Sequence, residues 1–165
     1  MNPCYCGYFT SSFKPCRCSS HQIQKYRSKI SGPLLDRIDI HIEVPELKYE
    51  YLSSRKEEEP SSKIRERVEK AREIQLQRFS SEGGNPGIYF NSQMTERMIK
   101  KFCILDSEAE DLLKMAIREL NFSARSYNKI LKAARTIADL ADSEKITSDH
   151  ISEAVQYRSL DKELF

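Results

Sequence analysis

Glycine is scarce: its five residues stand at positions 7, 32, 83, 84 and 87, and no Gly-x-x-x-x-Gly-Lys-Ser/Thr loop can be built from them. Nor does any apolar strand end in Asp-Glu to hold magnesium, so these 165 residues cannot cradle and hydrolyse a nucleotide unaided. Histidine is scarcer still. His21, His41 and His150 are scattered, and no His-Glu-x-x-His, Ser-His-Asp set or convincing carboxylate pair accompanies them, which leaves out the common hydrolytic constellations. No apolar run approaches the roughly 18 residues of a membrane span, and no signal-peptide pattern opens the chain, so the expected location is the cytoplasm. An excess of one charge is also lacking. With 27 basic and 25 acidic residues the net charge is +2, and global charge gives no reason to invoke nucleic acid.

What is present is a soluble globular composition, 39% hydrophobic and 32% charged, enough for a modest core. Local charge says more than the total. Between positions 14 and 37, Lys14, Arg17, Lys25, Arg27, Lys29 and Arg37 face one acid, Asp36, which reads either as a solvated basic face or as a contact for a polyanion.

Four of the five cysteines form two pairs, Cys4-Tyr-Cys6 and Cys16-Arg-Cys18, with nine residues between them. Two thiolate pairs across a short loop can close a tetrahedral site, and in a reducing compartment a metal is favoured over disulfides. One-residue gaps are tighter than the usual two to four, so zinc, free structural thiols and redox chemistry all remain readings of Cys4, Cys6, Cys16 and Cys18. Tyr5, Tyr8, Phe9 and Phe13 are interleaved, to pack a loop with no core of its own or to stack on bases. Cys103, among Phe102, Ile104 and Leu105, reads as a small buried hydrophobe.

Ser19 or Ser20 caps a helix with Ile23, Tyr26 and Ile30 at helical spacing, ended by Ser31-Gly32-Pro33; Pro33 then suits the start of a short helical turn. From Ile38 the chain alternates, Ile38, Ile40, Ile42 and Val44 against Asp39, His41 and Glu43, the period of a half-buried strand. Asp36 and Arg37 fall at the junction of turn and strand. After Pro45 the pattern dissolves, and residues 49–60 have the composition of a linker between a first segment, 1–48, and a helical segment, 61–165.

Beyond the linker the period is helical. Ser61 or Ser62 opens a helix with Ile64, Val68, Ala71 and Gln75 on one face, running to Phe79 before the Gly83–Gly87 breaker; residues 94–101 form a short helix. Ser107-x-x-Glu110 reads as a capping box for a helix with the stripe Leu112, Leu113, Ala116, Ile117 and Leu120. Ser123 begins a helix with Tyr127, Ile130, Leu131, Ala134, Ile137, Ala138 and Ala141 inside, and Thr147 begins the last, with Ile151, Ala154 and Val155. These stripes need one another, which makes a small helical bundle. On it Arg125 sits in the first turn of its helix, either as a surface arginine or, beside unbonded backbone N–H groups, as an anion site suited to phosphate.

Taken together, Met1-Asn-Pro-Cys-x-Cys-Gly7, Cys16-Arg-Cys18, Ser31-Gly-Pro-Leu-Leu-Asp-Arg-Ile-Asp39, Ser123-Ala-Arg125, Ile130-Leu-Lys-x-Ala-Arg-Thr-Ile-Ala-Asp-Leu140 and Ala154-x-x-Tyr-Arg158 resemble the C-terminal half of the magnesium-chelatase-like AAA+ ATPases of the ComM or YifB type. The likeness covers nearly the whole chain. It implies a mainly α fold, the helical lid bundle of an AAA+ module preceded by a remnant of the α/β core with one strand and a Cys-rich loop. It also implies that both Walker motifs lie upstream, and that Met1 is internal to a longer protein. By motif, Asn2 takes the place of sensor 1, Arg37 of the arginine finger that reaches a neighbouring subunit's nucleotide, and Arg125 of sensor 2 on the lid. Tyr5 stands where relatives often have proline. The implied cofactors are ATP and Mg2+, with Zn2+ a further candidate, and the implied partners are identical subunits in a ring, a hexamer, and DNA handled in recombination or natural transformation. The competing expectation is a zinc-stapled helical module that binds nucleic acid or protein without catalysis.

Overall fold

The computed structural model describes residues 1–44, 47, 49, 58–80 and 87–158. The chain divides into two compact units, one within Met1–Arg55 and the other within Lys56–Arg158. The fold is mainly helical, as expected. Among the described residues, no helix is long and apolar enough to cross a membrane.

In the first unit, Ser20–Arg27 forms α1. Ser19 is its N-cap, its hydroxyl accepting from the Gln22 N–H while the Gln22 side chain accepts from the Ser19 N–H, so two otherwise unsatisfied donors are paired. The helix stops at Arg27, one turn short of the expected Ser31-Gly32-Pro33 breaker. Gly32–Leu35 forms α2, a single turn with proline in its first residues, where the missing N–H costs nothing.

The expected strand does not form. Residues 38–44 adopt no strand, and Ile38, Ile40, Ile42 and Val44 are exposed while His41, assigned to the polar face, is 7% exposed. Alternation describes two faces; it supplies no neighbour, and a strand without a partner ladder leaves its N–H and C=O groups to water. Among the described residues the one β pairing is an isolated parallel bridge, Leu105 with Ile146, in the second unit.

The second unit begins with α3, Ser61–Ser80, followed by a 3-10 turn at Asn91–Gln93, then α4 (Glu96–Phe102), α5 (Ser107–Leu120), α6 (Ala124–Leu140) and α7 (Ser148–Gln156). Helix α6 is the centre: α7, α3, α4 and the 3-10 turn all pack on it, and α5 packs on α7. The buried core joins Phe79, Met94, Ile99, Leu113, Ile130, Leu131, Ala134, Ala138, Ile146 and Ile151. On α3 only the C-terminal part of the expected face is inside: Ala71, Gln75 and Phe79 are buried, whereas Ile64 and Val68 are exposed. Tyr127 and Ala141, expected inside α6, are likewise exposed.

The helix ends follow local chemistry. Asp106, not Ser107, caps α5, its carboxylate accepting from the Ala109 N–H at 2.7 Å; an ionised acceptor at the positive end of a helix is the stronger cap. Ser123 caps α6 through the Ser126 N–H at 3.1 Å. With no glycine following α5 or α6, Asn121 (φ 46°) and Asp142 (φ 57°) take the left-handed positions there, the two non-glycine residue types that tolerate it best.

Candidate functional site

The Cys-rich loop is built on two tight turns. The Gly7 N–H bonds the Cys4 carbonyl at 3.1 Å, and Gly7 has φ +81°, which a side chain would strain. A second turn closes from the Ser11 N–H to the Tyr8 carbonyl, and Ser11 Oγ accepts from the N–H groups of Phe13 and Lys14. The chain thereby doubles back and sets Cys16 and Cys18 against Cys4 and Cys6. All four Sγ atoms lie within 4.8 Å of one another, with Cys4–Cys6 at 3.4 Å, Cys4–Cys16 at 3.7 Å and Cys6–Cys16 at 3.6 Å. Cys4 is fully buried and the other three are half-buried. The cluster can hold a metal ion.

The four sulfurs do not ionise alike. Cys6 is lowered to about 6, first by a backbone hydrogen bond from Tyr8 and next by one from Arg17. Cys4 is also lowered: lost hydration raises it, but backbone bonds from Phe9 and Cys6 and the Cys16 thiol lower it further. Cys16 is pushed up to about 12; the Cys18 N–H pulls it down, yet lost hydration and the Cys6 and Cys4 sulfurs push harder. Cys18 is raised in the same way, against a backbone bond from Cys6. Sulfurs this close cannot all carry charge unless a cation joins them.

The interleaved aromatics are occupied by neighbouring cations. Lys14 lies 4.8 Å from the Tyr8 ring centre, Arg27 5.0 Å from Phe9 and Lys29 5.0 Å from Tyr5, which meets Tyr26 edge-on at 4.8 Å. Phe13 remains exposed.

The three candidates for nucleotide chemistry are all on the surface. Asn2 is exposed two residues ahead of Cys4. Arg37 is exposed in the turn after α2, and its Nη1 donates to the Pro33 carbonyl at 2.7 Å. Arg125 is exposed in the first turn of α6. Asn2, Arg37 and the cysteines belong to the first unit and Arg125 to the second. Lys132, about two turns further along α6, donates to the Ser92 carbonyl at 2.8 Å.

A buried polar hub in the second unit escaped the sequence reading. Asp139 on α6, 1% exposed, accepts from both terminal nitrogens of Arg78, from Asn91 Nδ2 at 2.7 Å and from Arg135 Nε at 3.0 Å. Arg135 also donates to the Glu144 carbonyl at 2.6 Å and to that of Ser143, and Asn91 draws in Gln75 and Thr136. The hub ties α3, the 3-10 turn and the loop after α6 to the central helix. Burial lowers the Arg135 pKa, and the Asp139 carboxylate works against that. Arg158, 1% exposed, donates to Ser126 Oγ at 3.2 Å. The signal was there: Arg135 and Asp139 stand four apart on the face that carries Leu131 and Ala138, where a charge is out of place unless paired.

Residues 58–158 match the family described as magnesium chelatase, subunit ChlI C-terminal, and residues 1–52 match that described as magnesium chelatase, subunit ChlI. Among curated relatives, the competence protein ComM of Haemophilus influenzae is 39% identical over 97% of this chain. The protein YifB of Escherichia coli is 35% identical over 98%, and an uncharacterized protein of Mycobacterium bovis 29% identical over 95%. The chain spans 30% of the length of each of these relatives. With its bundle and its cysteine segment both matched, the chain belongs to the magnesium chelatase ChlI family, in the branch that includes ComM and YifB.

Proposed function

We propose that the chain is the sensor-1-to-lid part of an oligomeric AAA+ ATPase, a motor that hydrolyses ATP with Mg2+ in a homo-oligomeric ring, a hexamer, in the cytoplasm. Asn2 places the attacking water as sensor 1, Arg37 is the finger that reaches the neighbouring subunit's nucleotide, and Arg125 is sensor 2. Arg125 acts on its own or a neighbour's nucleotide. The Walker motifs belong to the part of the protein before residue 1. Since one relative is named a competence protein, the substrate in this reading is DNA, moved during recombination or branch migration in natural transformation. The four cysteines add Zn2+ to the cofactors.

One contrast carries the reading. The chain buries Arg135 and Arg158 to within 2% exposure for its own packing, whereas Arg37 and Arg125 are among the arginines left on the surface, the first in the turn after α2 and the second in the first turn of α6. Phosphoryl transfer spreads negative charge over terminal oxygens, and a planar guanidinium presented from outside is suited to meet it. In the full-length protein, Arg37→Ala should lower ATP turnover by about 10³- to 10⁵-fold while nucleotide still binds. Undiminished turnover refutes the finger. A second reading, a zinc-stapled binding module without catalysis, is favoured by the four-sulfur cluster alone and is excluded by any Arg37-dependent hydrolysis.

A further inference from the structure

A tetrahedral zinc thiolate site with Zn–S bonds of about 2.3 Å has sulfurs about 3.8 Å apart, since a tetrahedron's edge is about 1.63 times its centre-to-corner distance. Three Sγ pairs here, at 3.4, 3.6 and 3.7 Å, are already near that edge, and all four sulfurs lie within 4.8 Å of one another. Four protein ligands fill zinc's coordination, leaving no position for water or substrate, which marks a structural centre.

Charge supplies an independent observation. One Zn2+ with four thiolates carries a net charge of −2. Residues 1–35 contain no Asp or Glu, but do contain Lys14, Arg17, Lys25, Arg27 and Lys29. Arg17 lies between two ligands, and the Cys18 N–H points at Cys16 Sγ from 3.4 Å. An acid-free, cation-rich envelope is what a partly buried anionic centre requires.

Asn2 lies against the first cysteine turn. The Cys4–Gly7 turn carries two ligands, and a Cβ placed on Gly7 would lie 3.8 Å from Asn2 Nδ2, so the Asn2 amide rests over this turn. We propose that one Zn2+, held by Cys4, Cys6, Cys16 and Cys18, is a closed structural centre that positions Asn2. Zinc occupancy then sets the rate of ATP hydrolysis without setting nucleotide affinity. The proposal rests on the sensor-1 reading for its effect on rate, and on the cysteine geometry alone for the metal.

The test uses the full-length protein. Metal analysis after gel filtration should find one zinc per chain and no iron; iron, or a mass short by the hydrogens lost to a disulfide, overturns the assignment. Stripping zinc with a strong chelator should speed hydrogen exchange across residues 1–18 and leave α6 unchanged, with zinc restoring protection. Unchanged exchange at residues 1–9 overturns the coupling to Asn2. The same stripping should lower kcat about 10- to 100-fold at constant KM, as loss of a supporting shell does, and added Zn2+ but not Mg2+ should restore it. An unchanged kcat overturns the catalytic consequence. If the zinc-loaded protein hydrolyses no ATP at all, the motor reading and this link to rate fail together, while the metal and exchange results still decide the zinc centre.

Discussion

Replacing Asp139 by alanine should be among the most damaging single changes in the bundle. The substitution leaves Arg135, 2% exposed, and the largely enclosed Arg78 facing each other without their shared carboxylate. Removing one partner of a buried ion pair costs about 3–5 kcal/mol, mostly because the remaining charge stays buried. The second unit has about 100 residues, and unfolding entropy of about 2.1 cal/mol/K per residue makes the total about 0.2 kcal/mol/K. The expected fall in Tm is therefore about 15–25 °C, read by calorimetry or circular dichroism. Replacing Arg78, Arg135 and Asp139 together by methionine, methionine and leucine should recover most of that loss, because no buried charge is then uncompensated. A fall under about 5 °C, or a triple variant weaker than Asp139→Ala, would show that the hub does not hold the bundle together. As a control, breaking the exposed Lys70–Asp142 pair should barely move Tm.

Two further outcomes concern single groups. Burial pushes the Cys103 thiol from 9.0 up to about 11, so the folded state keeps its proton where the unfolded chain has lost it. Its contribution to stability is complete below pH 9 and is lost as pH rises towards 11; Cys103→Ala should flatten that fall in denaturant titrations, and an unchanged slope would contradict it. At the start of α5, Asp106→Ala should cost about 1 kcal/mol in urea unfolding and Ser107→Ala only a few tenths, the reverse order pointing back to the capping box.

Much of the bundle was legible because a helix carries its packing instruction in its own period. The stripes on α5, α6 and α7 found their partners, and Ser19, Ser123 and Thr147 mark helix starts in the structure as in the sequence. Residues 38–44 misled because alternation states which side chains share a face and nothing about a neighbouring ladder. Ile64 and Val68 misled for a related reason: a stripe is buried only as far as the partner helix reaches. The four cysteines could be gathered from spacing alone, since nine intervening residues are few enough to bring the pairs together. The Asp139 hub could not, because Arg78 and Asn91 lie 61 and 48 positions away and only folding brings them in. Arg37 and Arg125 were found by motif, and their exposure was visible only in three dimensions.

The account turns on Arg37 acting on a neighbour's nucleotide, and a mixed-ring experiment tests that most directly. Full-length subunits carrying Arg37→Ala are combined with subunits that keep Arg37 but are disabled in phosphate binding, each population inactive by itself. Hydrolysis should return on mixing, at interfaces where an intact nucleotide site meets an intact Arg37. Mixed rings that form and remain as inactive as their parents would contradict it.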